Sequence, residues 1–203
     1  MIIDMHFHTN YFSECSIINP EEGVKTAKKI GVDGICITEH DEFFDRKLAQ
    51  KLQSRYNILI IVGVEIMTYE GDILCFGLEK LPNKKLHVAE LVDHVYTKGG
   101  VSIAAHPYRE NDRGIGDYIK SLPKLDAVET LNSNTKKANN IKAFKSADDY
   151  EKIKVGGSDA HTLSQIGSYA TYFENKINSE KELIKEIKKG SCEALNLKEY
   201  YKR

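Results

Sequence analysis

Short, unbroken apolar runs separated by helix-patterned segments are the feature that most constrains this 203-residue chain. Residues 34–38, 58–64 and 101–105 are each about one strand long and show no polar alternation, as expected of strands covered on both faces. Shorter strand-like runs follow at 72–77, 126–131, 154–158 and 170–173. Between them lie segments with helical spacing. Val24, Ala27 and Ile30 follow Asn19-Pro20, a helix start with a cap and a proline at the first turn, and Gly31 ends that helix. Leu48 and Leu52 mark a second helix, Leu91, Val92 and Val95 a third within 86–96, and 138–150 a fourth. Ser179-x-x-Glu182 opens the last, with Leu183, Ile184 and Ile187 on one face. Alternating buried strands and helices predict an α/β fold with a parallel sheet, doubly wound or closed into a barrel.

Composition narrows the function classes. Hydrophobic residues make up 41% and charged residues 29%, ordinary for a globular protein, and the length suits one domain over 1–203. Net charge is −1 with the histidines neutral, so no global field steers nucleic acid or an anionic membrane, and phosphate recognition must be local. No apolar run approaches the ~18 residues of a membrane span. The chain enters its first strand with no basic leader, and the four cysteines form no C-x-x-C pair. Cys36 and Cys75 lie in apolar runs as reduced core thiols, and a cytoplasmic setting is expected.

The polar residues at strand ends carry the chemistry. The first strand runs Ile2-Ile3-Asp4-Met5-His6-Phe7-His8, and strict alternation places Asp4, His6 and His8 on one face, Met5 and Phe7 on the other. Two imidazoles at i and i+2 can converge on one cation. The next runs deliver Glu39-His40-Asp41, Glu65, then His106-Pro107-Tyr108-Arg109, then Asp159-Ala160-His161. Each has a plain alternative. Glu14 in the polar loop 9–18 can simply be solvated, and His106 before Pro107 can close a turn. Glu65 differs, because an unpaired carboxylate after an apolar strand is costly to bury. Five of the seven histidines fall at such ends, while His87 and His94 sit in a helix among ordinary polar neighbours and are expected at the surface. Strand ends share one rim in a barrel and spread apart in an open sheet, so their convergence argues for the barrel.

The blocks Asp4-Met5-His6-Phe7-His8-Thr9, Ile37-Thr38-Glu39-His40-Asp41, Gly63-Val64-Glu65, Ala105-His106-Pro107 and Gly157-Ser158-Asp159-Ala160-His161 resemble the PHP (polymerase and histidinol phosphatase) family of metal-dependent phosphoesterases, in order along essentially the whole chain. The resemblance implies a distorted (β/α)7 barrel, close kin to the TIM barrel, with two or three divalent ions (Mn, Zn or Fe) at the C-terminal strand ends. It puts His6, His8, Glu65 and Asp159 on one ion, Glu14, His40 and His161 on a second, and Glu65 with His106 on a third. Two positions depart from the family pattern. Glu14 stands where His or Asp is usual, and Gly71 is followed by Asp72 instead of His. Asp72 is either a substitute ligand or the mark of a centre that is effectively binuclear.

Clustered divalent ions suit phosphate-ester hydrolysis by a bridging hydroxide. Asp41 or His161 would shuttle a proton, and Asp4 would orient an imidazole. Arg109 is the first candidate for the substrate phosphate, Arg113 and Lys136 weaker ones, with Asn132 and Asn134 as polar contacts. The expected substrate is a small phosphomonoester, a nucleotide or an oligonucleotide end, with no membrane partner and no stable nucleic-acid binding beyond such a substrate. The oligomeric state is open. An amidohydrolase-type C–N hydrolase, or a metal-binding regulatory module, are the competing functions. No lysine ends a buried strand, as the former usually requires.

Overall fold

A computed structural model describes residues 1–202. Ten strands form two five-stranded sheets. The first has the order β10-β9-β1-β2-β3, from Cys192–Asn196 (β10), Tyr169–Phe173 (β9), Ile2–Phe7 (β1), Gly34–Ile37 (β2) and Leu59–Val62 (β3). The second has the order β4-β5-β6-β7-β8, from Val64–Met67, Asp72–Phe76, Val101–Ala104, Ala127–Asn132 and Ile153–Gly157. Helices α1 (Pro20–Ile30), α2 (Arg46–Tyr56), α3 (Val88–Thr97), α4 (Lys137–Asp149), α5 (Glu180–Lys189) and α6 (Leu197–Tyr200) complete the order. The α/β class agrees with the sequence reading. The single parallel sheet does not, because β5 runs antiparallel to β4 and β6, and β9 antiparallel to β1 and β10. Among the described residues no continuous closed ladder joins all the strands.

Two local differences have physical causes. The apolar run 58–64 is two strands, β3 in one sheet and β4 in the other. Gly63 makes the break, for a Cβ there would lie 2.5 Å from the Phe76 ring and 3.1 Å from the Cys75 carbonyl. Strict alternation also fails along β1. Its register with β2 slips between Asp4 and Phe7, and Met5 packs between the sheets while Phe7 joins the cluster under α1 and α2. Helix ends follow the sequence closely. Asn19 Oδ1 accepts from the Glu21 and Glu22 amides at 3.0 and 3.3 Å, and Gly31 closes α1 at φ 97°. Ser179 Oγ caps α5.

One apolar cluster lies between each sheet and its helices, and a third fills the space between the sheets. Both margins of the second sheet, β8 and β4, join the first sheet near the strand ends that carry the polar residues. At one seam Phe7 bridges Ala160, and the Asp159 amide donates to the His6 carbonyl at 2.7 Å. The approach there requires Gly157, whose added Cβ would sit 2.5 Å from His6 Cβ. At the other seam His40 bridges Glu65, whose amide donates to the Glu39 carbonyl at 3.0 Å.

Candidate metal centre

Four donor atoms from the two sheets meet where the seams come together. His6 Nε2 and His8 Nε2 are 2.9 Å apart. Glu65 Oε2 lies 3.4 Å from the first and 3.2 Å from the second, and Asp159 Oδ1 lies 3.4 and 3.3 Å away. Two donors bound to one ion at about 2.0–2.2 Å with a tetrahedral angle between them sit roughly 3.3 Å apart, so each of these five contacts suits a pair of donors sharing a divalent cation. The donor set fits a divalent cation on a second count. Glu65 Oε2 and Asp72 Oδ1 are buried with no hydrogen-bond partner, an expensive state for carboxylate oxygens.

The remaining imidazoles and carboxylates extend this group. His8, His40 and His161 form one set of mutually close ligand atoms, and Glu65, Asp72 and His106 form another. His106 Nε2 is 2.9 Å from Glu65 Oε1, and His40 Nδ1 is 2.9 Å from Glu65 Oε2. Glu65 therefore touches both sets, a position set by its place inside β4 against the His40 bridge. Of the residues singled out from sequence, His6, His8, His40, Glu65, Asp72, His106, Asp159 and His161 are brought together. Glu14 is exposed and belongs to none of these sets among the described residues. Asp41 is also exposed, and its Oδ1 accepts from the Met67 amide at 2.9 Å. His87 is exposed and His94 half-buried, both outside the cluster.

Supports hold the donors in place. His6 Nδ1 faces Glu129 Oε1 at 3.1 Å, while Glu129 Oε2 accepts from the His106 amide at 2.8 Å and from Asn132 Nδ2 at 2.9 Å. His8 Nδ1 lies 3.3 Å from the Ser13 hydroxyl, which donates to the buried Glu39. Asp4 does not orient an imidazole. Its Oδ1 accepts the Ser158 amide at 2.7 Å and the His6 amide at 3.3 Å. Arg109 donates to Asp159 and, at 3.0 Å, to Asn132 Oδ1. Arg113 donates through Nε to Asp72. Lys136 lies at the exposed surface, paired with Glu110. Asn134 reaches the Asp159 carbonyl and His161 Nδ1. Glu129 and Glu39 escaped the sequence reading. The signal was there for Glu129, an acid inside an apolar strand like Glu65.

The electrostatics show more buried negative charge than the two arginines offset. Burial opposes charging His6, but Asp159, Glu129 and Glu65 outweigh it and hold its pKa well above the usual value. His8 is raised against burial by Asp159 and Glu65. Burial would lift Glu65 and Asp159, yet the neighbouring imidazoles keep both well below the carboxylate range. Burial and the Glu65 charge push Asp72 up to about 8, and burial pushes Asp4 up to about 6. Burial lowers His161. Two donors also have left-handed backbones, His106 at φ 29° and Asp159 at φ 50°.

The chain resembles known proteins in sequence and in fold. A PHP-associated family profile matches residues 137–192. An uncharacterized protein of Methanocaldococcus jannaschii is 33% identical over 143 residues, covering 66% of this chain and 82% of that protein. Among solved structures, PsfC from Pseudomonas syringae superposes with a TM-score of 0.73 at 19% identity, over 96% of this chain and 91% of that one. A putative metal-dependent phosphoesterase from Bifidobacterium adolescentis gives 0.67 at 15% identity, over 79% and 88%. The lesion-specific endonuclease PfuEndoQ from Pyrococcus furiosus gives 0.66 at 17%, over 95% of this chain and 57% of that one. With its ordered motif blocks, fold and histidine–carboxylate rim, the chain belongs to the PHP family.

Proposed function

We propose that the protein is a metal-dependent hydrolase of phosphate esters, acting on a small phosphomonoester, a nucleotide or an oligonucleotide end. The convergence of His6, His8, Glu65 and Asp159 beside two guanidinium groups carries this reading. Names of similar structures lend support, one a putative metal-dependent phosphoesterase and one an endonuclease. We take 1–203 as one PHP-type domain, with the two bridged sheets as an opened form of the distorted (β/α)7 barrel.

In this reading His6, His8, Glu65 and Asp159 hold one ion, and His40 and His161 hold a second with His8 beside them. Glu65, His106 and Asp72 surround a third position. Manganese, zinc and iron all suit mixed imidazole and carboxylate donors. When bound, divalent ions there would acidify water and polarise the phosphoryl group. Arg109 offers the phosphate a planar fork, with Asn132 fixing its orientation. His161 Nδ1 faces the Asp159 carbonyl at 2.8 Å, which leaves Nε2 as the nitrogen available to bind an ion or take a proton.

The test is metal content of the purified protein, followed by p-nitrophenyl phosphate hydrolysis after reloading with Mn, Zn or Fe. Two or more ions per chain with chelator-sensitive turnover is the expected result. Bound metal without turnover on any phosphate ester would move the assignment to a C–N hydrolase or a regulatory module. No metal under any loading condition would remove it.

A further inference from the structure

One corner of the site already contains a cation. Asp72 is fully buried, and its Oδ2 lies 3.9 Å from His106 Nε2, the same nitrogen that Glu65 Oε1 approaches to 2.9 Å. Glu65, Asp72 and His106 alone would make a three-donor pocket. Arg113 reaches into it. Its Nε donates to Asp72 Oδ2, and its NH2 lies 3.1 Å from His40 Nδ1, itself 2.9 Å from Glu65 Oε2.

The backbone holds this arrangement as firmly as the side chains do. The Asp72 amide donates to the Arg113 carbonyl at 2.9 Å. Gly71, at φ 146°, lets the two segments touch, since a Cβ there would lie 2.7 Å from the Gly114 carbonyl carbon and from Ile115 N. Gly114 in turn has no room for a side chain, its Cβ falling 2.4 Å from the Pro107 carbonyl oxygen. The pairs Gly71-Asp72 and Arg113-Gly114 thus form one contact, and Arg113 is delivered to Asp72 by main-chain geometry. A guanidinium so placed occupies the second oxygen of Asp72 and repels any dication drawn to the first.

We propose that Arg113 is the resident cation of this corner, standing in for a third metal ion, so that the centre takes up two ions per chain. This rests on the metallohydrolase reading and fixes the ion count within it. A guanidinium does not exchange or leave with a chelator, so this positive charge is permanent.

The experiment is equilibrium dialysis against Mn²⁺ followed by elemental analysis, on the wild type and on Arg113→Gln, Arg113→Ala and Arg113→Lys, with circular dichroism as the check of folding. The wild type should saturate at two ions. The neutral variants should take a third, weaker equivalent, and Arg113→Lys should stay at two. Two neutral variants are included because one of them can fail to fold. Any wild-type count other than two, or two ions in the folded neutral variants, overturns the proposal. A wild-type count of zero overturns the metallohydrolase reading as well, which separates the two failures.

Discussion

The two sheets bring different chemistry to the same rim. From β1, β2 and the residues just after them come His6, His8 and His40. From the second sheet and its connections come the carboxylates Glu65, Asp72 and Asp159, with His106 and His161. Their supports differ in the same sense. His6 and His8 have hydrogen-bond acceptors behind them, Glu129 and the Ser13–Glu39 pair. Asp159 and Asp72 have arginines behind them, both from the connection that follows β6. His6 and His8 are therefore held by buried anions, and Asp159 and Asp72 by cations. The seam through Gly157 brings the two halves, nitrogen and oxygen, together.

Removing a donor from the nitrogen half should have the largest effect. His6→Ala or His8→Ala is expected to lower metal affinity and turnover by more than about 100-fold, read by dialysis and by phosphatase assay. Retained metal in both would show that the carboxylate half binds alone. Removing a support should cost less. Glu129→Gln leaves an acceptor near His6 Nδ1 but removes the charge, and about a 10- to 100-fold loss of metal affinity is expected.

The metal-free protein should reveal the charge imbalance through its pH dependence. His6, His8, Asp4 and Asp72 all have folded pKa values above their unfolded ones. Each such group contributes stability below its unfolded pKa that is lost as pH rises through the folded value. For Asp72 that window runs from 3.8 to about 8, and for Asp4 from 3.8 to about 6. Glu65 and Asp159, both depressed, act with the opposite sign, but only below the usual carboxylate range. The melting temperature of chelated protein should accordingly fall by several degrees, about 4 °C or more, between pH 6 and pH 8. Metal-loaded protein should not show this fall. An identical decline with and without metal would refute the account.

Smaller effects test the oxygen half and the surface. Arg109→Ala should raise KM for a phosphomonoester by about 10-fold, one lost charge-assisted hydrogen bond, when assayed at saturating metal, since Arg109 also supports Asp159. Unaltered kinetics would take Arg109 out of substrate binding. His87→Ala is the control. It removes a surface contact to Glu70, a ring contact to Tyr69 and the side chain at the start of α3, all away from the donors, so metal content should stay constant while stability falls by about 1 kcal/mol in a thermal melt.

Much of the donor set was legible in the sequence because polar residues at the ends of apolar runs are conspicuous. Glu65 could be separated from surface glutamates by the cost of burying it, and His87 and His94 could be set aside by their helical setting. The supports were harder to see. Glu129 lies mid-strand, and Glu39, though at a strand end, is overshadowed by the histidine that follows it. Glu14 attracted attention through the family pattern, but the loop carries its side chain outward and turns Ser13 inward. The division of 58–64 depended on a contact between Gly63 and Phe76, which are distant in any local reading. The last strand, β10, contains Glu193 and Asn196 and lacks the apolar run that revealed the others.

The left-handed turns at His106 and Asp159 bear on how the chain tolerates change. Such a backbone costs a side-chain-bearing residue roughly 1–2 kcal/mol, and glycine almost nothing. At both positions the substitution that would relax the main chain is also the one that deletes the donor. A library selected for heat resistance alone should therefore drift toward glycine or asparagine at 106 and 159, losing the chemistry as it gains stability. The ability to react is written at these two positions against the preference of the fold.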